Sequence, residues 1–110
     1  MRVSDHELRG VPVVAADGIE VGRIRDLIIG TESWTVEALE VKLERDTEED
    51  VGAPHHALLP SIIEIPTRFI LSAGDAVTLG IREDQLRELL EEQRARSQAE
   101  AELPGYGEGL

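Results

Sequence analysis

Residues 12–29 read Pro-Val-Val-Ala-Ala-Asp-Gly-Ile-Glu-Val-Gly-Arg-Ile-Arg-Asp-Leu-Ile-Ile, and this order predicts a β-hairpin. Two apolar runs flank Asp17-Gly18, a pair suited to the positive φ angles of a tight hairpin turn. Gly22 comes four residues after Gly18, where we expect the second strand to bend or bulge. We therefore expect this hairpin to organise the fold, with the later strands closing over it.

Alternating apolar patterns predict a mainly β domain, a small β-barrel of five or six strands over residues 1–80. In the third strand, apolar residues occupy one side up to Ala38 and the other side from Leu39, which predicts a bulge or a strand shared by two surfaces. Neither side of the second strand is cleanly polar, as expected when a sheet curls into a barrel. The expected strands are Val11–Ala15, Ile19–Ile29, Trp34–Leu43, Leu58–Ile65, Phe69–Leu71 and Ala76–Leu79.

The connections between these strands carry turn and loop signals. Glu44–Pro54 contains five acidic residues and no apolar period, so we expect a solvated loop. Pro66 is expected to end the fourth strand, because proline has no N–H to donate to a ladder. Gly74 and Asp75 predict the turn before the last strand.

After the last strand the apolar period becomes helical. Leu86, Leu89 and Leu90 form a narrow stripe that continues to Gln93, which predicts a helix over residues 81–101. Residues 102–110 are rich in glycine, and we expect a flexible tail there.

Composition limits the class of protein. A chain of 110 residues, 41% of them hydrophobic, suits one small domain. The chain has no cysteine, which excludes disulfides, a thiol nucleophile and cysteine-ligated metal. No apolar run approaches the roughly 20 residues that span a bilayer, and the first residues lack the apolar core of a signal peptide. We expect a cytoplasmic protein without membrane insertion.

The charge is strongly negative, with 23 acidic residues against 11 basic ones and a formal net charge of −12. Such a surface repels phosphate, so we expect no direct binding to nucleic acid and none to anionic membranes. Ten of the basic residues are arginine and one is Lys42. Two interpretations remain open: a halophilic archaeal host, or a bacterial genome rich in G and C.

The search for reactive groups predicts no catalytic residue, no metal site and no cofactor. His55 and His56 are adjacent, so on a strand they would point to opposite faces. The acidic residues 46–50 lack the glycine and distal glutamate of an EF-hand. Glu20 and Asp26 lie on one strand, but nothing beside them suggests a substrate pocket. We expect the protein not to be an enzyme.

Apolar residues beyond the needs of one core are the candidates for a protein interface. The strand residues either belong to the core of the domain or bury a second face against another copy. The helix stripe either packs across a barrel end or docks onto a partner helix. The candidates are Trp34, Val36, Ala38, Leu58 and Ile62 on the strands, and Leu86, Leu89 and Leu90 on the helix.

Five segments in a fixed order carry a family resemblance. They are Gly10-x-Pro-Val, Asp17-Gly18-x-Glu20-Val21-Gly22-Arg23-Ile24-x-Asp26-Leu27, Leu39-x-Val41, Ile63-x-Ile65-Pro66 and Gly74-Asp75-x-Val77-x-Leu79. With this order the chain resembles the PRC-barrel domain of the photosynthetic reaction centre H subunit and of the ribosome maturation factor RimM. The resemblance implies a PRC-type β-barrel, frequently a homodimer, that serves as an adaptor and carries no catalytic activity.

A narrower resemblance follows from the acidic composition. Stand-alone archaeal PRC-barrel proteins bridge SepF, the anchor of the FtsZ ring, to other division components, so a SepF-like anchor is the expected partner and the division site the expected location. The alternatives are a ribosome-maturation factor and a small-ligand or stress-related binding module. The membrane helix of the reaction-centre subunit and the RNA-processing domain of the ribosome factor have no counterpart in the sequence.

Overall fold

The computed structural model describes residues 2–44 and 61–102, with side chains up to residue 96. Most of the acidic loop, with His55, His56 and Leu58, and nearly all of the expected tail lie outside the described residues. Within them the elements are α1 (Asp5–Leu8), β1 (Pro12–Val14), β2 (Glu20–Gly30), β3 (Thr35–Leu43), β4 (Ile62–Pro66), a 3₁₀ helix (Thr67–Phe69), β5 (Ile70–Ala73), β6 (Val77–Leu79) and α2 (Glu83–Glu102).

The six strands form one sheet in the order β4-β3-β2-β1-β6-β5. Neighbouring strands in this sheet are antiparallel, except that β1 and β6 are parallel to each other. The edge strands β4 and β5 are joined only by Thr67–Phe69, a link of about 14 Å at full extension, whereas the edges of a flat six-stranded sheet lie about 24 Å apart. The sheet therefore curls, although no ladder joins β4 to β5 in the described part. The predicted mainly β, barrel-like class with a C-terminal helix is confirmed.

The inside of the curled sheet is filled by aliphatic side chains. The fully buried ones from the strands are Val13, Val21, Val41, Ile63, Ile65, Val77 and Leu79. Leu86 and Leu90 of α2 complete the same cluster, with Leu89 packed against it. The helix is therefore part of the core rather than an appendage.

The first helix, α1, is not among the elements expected from the sequence. Ser4 caps it, since the Glu7 N–H donates to Ser4 Oγ at 3.2 Å. Leu8 packs against the core, and Arg9 forms an ion pair with Asp26 of β2 at 3.2 Å. The Ser-x-x-Glu spacing of a capping box was the available signal.

The β1–β2 turn differs from the expected tight pair. Gly18 N donates to Ala15 O at 2.9 Å and Ala15 N donates to Ile19 O at 2.8 Å, which encloses a three-residue loop. Of its residues only Gly18 has a positive φ, of 85°. Asp17 instead accepts a hydrogen bond from the Glu83 N–H at 3.4 Å, so the turn also caps the start of α2.

Two bulges in the β2–β3 ladder explain the change of phase in these strands. Ile24 pairs with Val41 and Asp26 with Glu40, which leaves Arg25 as an extra residue in β2. Further along, the pairing skips Glu37 of β3 in the same way. The predicted bulge in the third strand is thereby confirmed.

Both edges of the sheet are blunted against pairing with another strand. At β4, Gln93 of α2 takes both outward-facing backbone groups of Glu64: Gln93 Oε1 accepts from Glu64 N at 3.0 Å, and Gln93 Nε2 donates to Glu64 O. Pro66 has no N–H to offer on the same edge. At the other edge, β5 is only four residues long and Leu71 forms a bulge in it. Short, bulged or covered edges resist strand addition.

Gly22 lies on β2 at the point where this strand runs between β1 and β3. It pairs with Val13 of β1 on one side and with Leu43 of β3 on the other. A Cβ at this position would collide with the carbonyl oxygen of Lys42. We expect Gly22→Ala to lower the free energy of unfolding by about 1–3 kcal/mol, because the strands must move apart. Urea unfolding followed by circular dichroism measures this change.

Gly74→Ala is the matched control, since no atom lies within 4 Å of its Cβ position and its φ is not positive. It should change the unfolding free energy by no more than about 0.5 kcal/mol. Equal effects of the two substitutions would show that the crossing at Gly22 is not close-packed.

The cover of the β4 edge gives a second prediction. We expect Gln93→Ala to lower the unfolding free energy by about 1–2 kcal/mol, because two hydrogen bonds to Glu64 are lost. Amide hydrogen exchange at Glu64 should accelerate more than exchange at Ile63. Glu91→Ala, at an exposed position on the same helix, should leave both quantities unchanged.

Candidate protein-interaction surface

The far end of the β2–β3 hairpin exposes three apolar side chains, and we call Ile29, Trp34 and Val36 the hairpin tip. Their exposed fractions are 50%, 76% and 38%. Ile29 and Val36 are direct partners across the ladder. The three residues bring a concentrated apolar surface to one end of a long hairpin.

The hairpin tip continues the apolar stripe of the core. Alternate pairs in a ladder face the same side, so Ile29–Val36 lies on the side that carries Leu27–Leu39. Leu39 is 4% exposed, whereas the next pair on that side, Ile29 and Val36, is 50% and 38% exposed. The stripe thus begins inside the barrel and ends outside it.

Trp34 has a strained backbone at the end of the turn. Its φ is 56°, a left-handed conformation that costs a bulky residue about 1–3 kcal/mol. The turn is held by the hydrogen bond from Trp34 N to Gly30 O at 2.7 Å and by one between the Ser33 and Thr35 hydroxyls at 2.7 Å. The indole is therefore held out in solvent by a fixed turn.

The charges beside the hairpin tip are negative. Glu32 is exposed within the turn, and the carboxylate of Glu37 lies against Gly30, where a Cβ would collide with it. Residues 27–41 contain neither lysine nor arginine. An apolar patch with an acidic border results.

A groove of about 320 Å³ lies on the outer face of the sheet, between β3, β4 and α2. Ala38 is buried there, opposite Pro66 in the ladder. The side chain of Arg68 stacks on Phe69 at 4.6 Å from the ring centroid. The lining residues are Glu37, Ala38, Glu64, Pro66, Arg68, Leu89, Glu92, Gln93 and Arg96.

The first turn of α2 is fixed by polar contacts away from both surfaces. Gln85 Oε1 accepts from the Arg82 N–H at 2.8 Å, in the manner of a capping box. The Arg82 guanidinium donates to both oxygens of Asp84, which lowers the pKa of the Asp84 carboxyl below its usual range. These contacts are exposed and set where the helix begins.

The structure separates the described interface candidates into three groups by burial. Trp34 and Val36 are exposed at the hairpin tip, and Ile62 and Leu89 are half-buried. Ala38, Leu86 and Leu90 are buried within this chain, as in the core alternative: the helix stripe fills the barrel core, and Ala38 lies beneath the groove. Leu58 lies outside the described residues.

The predicted structural positions are all in turns or on strands. Asp17 and Gly18 lie in the β1–β2 turn, and Gly74 and Asp75 lie between β5 and β6, where Gly74 N donates to Ala76 O at 3.1 Å. Pro66 is the last residue of β4. Two residues outside these predictions matter most: Ile29, at the tip, and Gln93, whose place on the helix stripe was the only signal for its role.

The described residues hold no group of three or more histidine, aspartate or glutamate side chains placed to share a metal ion. Among the helices described, none combines the length and the apolar character needed to cross a membrane.

Sequence comparison agrees with this architecture. A family model described as PRC-barrel domain matches residues 1–86. The chain belongs to the PRC-barrel domain family. The match covers every strand of this PRC-barrel domain and ends at Leu86, in the first turn of α2. The comparison with curated proteins gave no match.

The backbone at Trp34 of this PRC-barrel domain gives a third prediction. Asparagine tolerates the left-handed region, whereas alanine retains most of the strain. We expect Trp34→Asn to be more stable than Trp34→Ala by about 0.5–1 kcal/mol in urea unfolding. Equal stabilities would mean that the turn relaxes when the indole is removed.

Proposed function

We propose that this PRC-barrel domain is a non-enzymatic adaptor that binds other proteins through the hairpin tip. The observation that carries the proposal is the continuation of the core stripe into solvent at Ile29 and Val36, beside the exposed Trp34 of the adjoining turn. Apolar side chains exposed together on a folded surface are typical of contact sites, and tryptophan is among the residues that contribute most to them.

In its most specific form, the adaptor is a homodimer in the cell-division machinery that binds a SepF-like anchor of the FtsZ ring. Membership in the PRC-barrel family supports a protein-binding role. The division role rests on the likeness to acidic stand-alone members of the family and on the net charge of −12, which disfavours nucleic acid as the alternative partner.

Purified SepF from the host provides the test, with binding measured by biolayer interferometry. We expect Trp34→Ala to weaken binding at least tenfold, as for an aromatic residue at the centre of an interface. Leu71→Ala is the matched control, because Leu71 is 73% exposed on the edge strand β5, three strands away from β2 in the sheet order. It should leave the affinity unchanged.

Light scattering coupled to size exclusion tests the dimer in the same preparation. A mass that stays at one chain over a wide concentration range contradicts the homodimer. Absence of SepF binding by the unmodified protein contradicts the division role.

A further inference from the structure

We infer that the hairpin tip docks onto an amphipathic helix of a partner protein whose apolar face is bordered by arginine or lysine. This inference rests on the adaptor function proposed above and names the chemistry of the partner.

The edges of the sheet direct binding toward side chains. Gln93 occupies the outward backbone groups of Glu64, and the bulge at Leu71 disrupts the other edge. A partner that adds a strand must first displace one of these devices. The hairpin tip needs no such rearrangement, because its side chains are already exposed.

The hairpin tip is a shallow surface and not a deep pocket, and a shallow surface suits a helix. Ile29 and Val36 stand side by side on one face of a two-stranded ladder, and Trp34 follows the last pair of that ladder. A ladder face is a shallow surface, and a helix presents apolar side chains at i, i+3, i+4 and i+7 that can cover it. The fixed turn lowers the ordering cost of binding.

The charged residues around the hairpin tip indicate which kind of partner binds there. Glu32 and Glu37 flank the tip, and residues 27–41 of the hairpin contain no basic residue, while Arg68 and Arg96 line the groove beside Glu37. A second copy would bring the same carboxylates together, and each chain carries a net charge of −12. Anionic lipid is repelled in the same way. A partner with arginine or lysine beside its apolar face meets complementary charge, and arginine also stacks on indole.

Trp34 is the only tryptophan in the chain, so its fluorescence reports directly on the hairpin tip. The probe is a synthetic 18-residue helical peptide with leucine along one face and arginine on both borders. The matched peptide replaces arginine with glutamate. We expect the arginine peptide, and not the glutamate peptide, to shift Trp34 emission to shorter wavelength and to protect it from acrylamide quenching.

Charge-removing variants separate this site from general attraction to an acidic protein. Glu32→Gln with Glu37→Gln should weaken the arginine peptide about threefold or more, as expected for two exposed ion pairs. Glu88→Gln with Glu91→Gln removes the same charge from exposed positions on α2 and should change affinity less than twofold. Equal weakening by the two double variants overturns the inference.

Other results overturn it as well. Peptide binding without a change in Trp34 emission places the contact elsewhere. A blue shift of the protein alone as its concentration rises identifies a second copy as the occupant, and a blue shift only with phosphatidylcholine vesicles identifies a lipid surface. If SepF does not bind but the arginine peptide does, the division role fails and the docking chemistry stands. If SepF binds with unchanged Trp34 emission, the division role stands, and the hairpin tip fails as the contact site together with this inference.

Discussion

The short link between β4 and β5 is the constraint on which the rest of the structure depends. Because three residues join the two edge strands, the sheet has to curl, and the curl creates the enclosed core. Gly22 permits the close crossing of strands that this curvature requires. The curled part is short, however, since β1 and β6 have three residues each whereas β2 has eleven and β3 has nine. The central hairpin therefore extends past the barrel, and its last apolar pair is left in solvent.

Because β2 and β3 are longer than β1 and β6, the two ends of the β2–β3 hairpin have different roles. The end near Gly22 is packed between strands and tolerates little change, whereas the end near Trp34 contacts little of the domain. The strain at Trp34 can persist because the turn is closed by the Gly30 carbonyl and by the hydroxyl pair beside it. Binding sites are commonly formed by loops that a rigid scaffold holds in place.

The sequence predicts the strands and the helix well because apolar period and turn residues are local signals. Gly18 and the phase change before Leu39 were sufficient to place the hairpin and its bulge. The sequence could not separate the two alternatives for Ala38 because its burial depends on Pro66, its partner in the β3–β4 ladder, and on Leu89 of α2, both distant in sequence. The two alternatives for Leu86 and Leu90 stayed open in the sequence because a leucine stripe has the same pattern whether it fills the core of its own domain or covers a partner.

The hydrogen bonds between Gln93 and Glu64 have a consequence for synthesis on the ribosome. The six strands of the described residues have been made once Leu79 is added, but the side chain that covers the edge of β4 comes fourteen residues later, at position 93. At about 5–20 residues per second, this interval lasts roughly one to three seconds. A chain whose sheet forms before α2 docks has an open β4 edge until Gln93 reaches Glu64, and that edge can pair with a neighbouring chain.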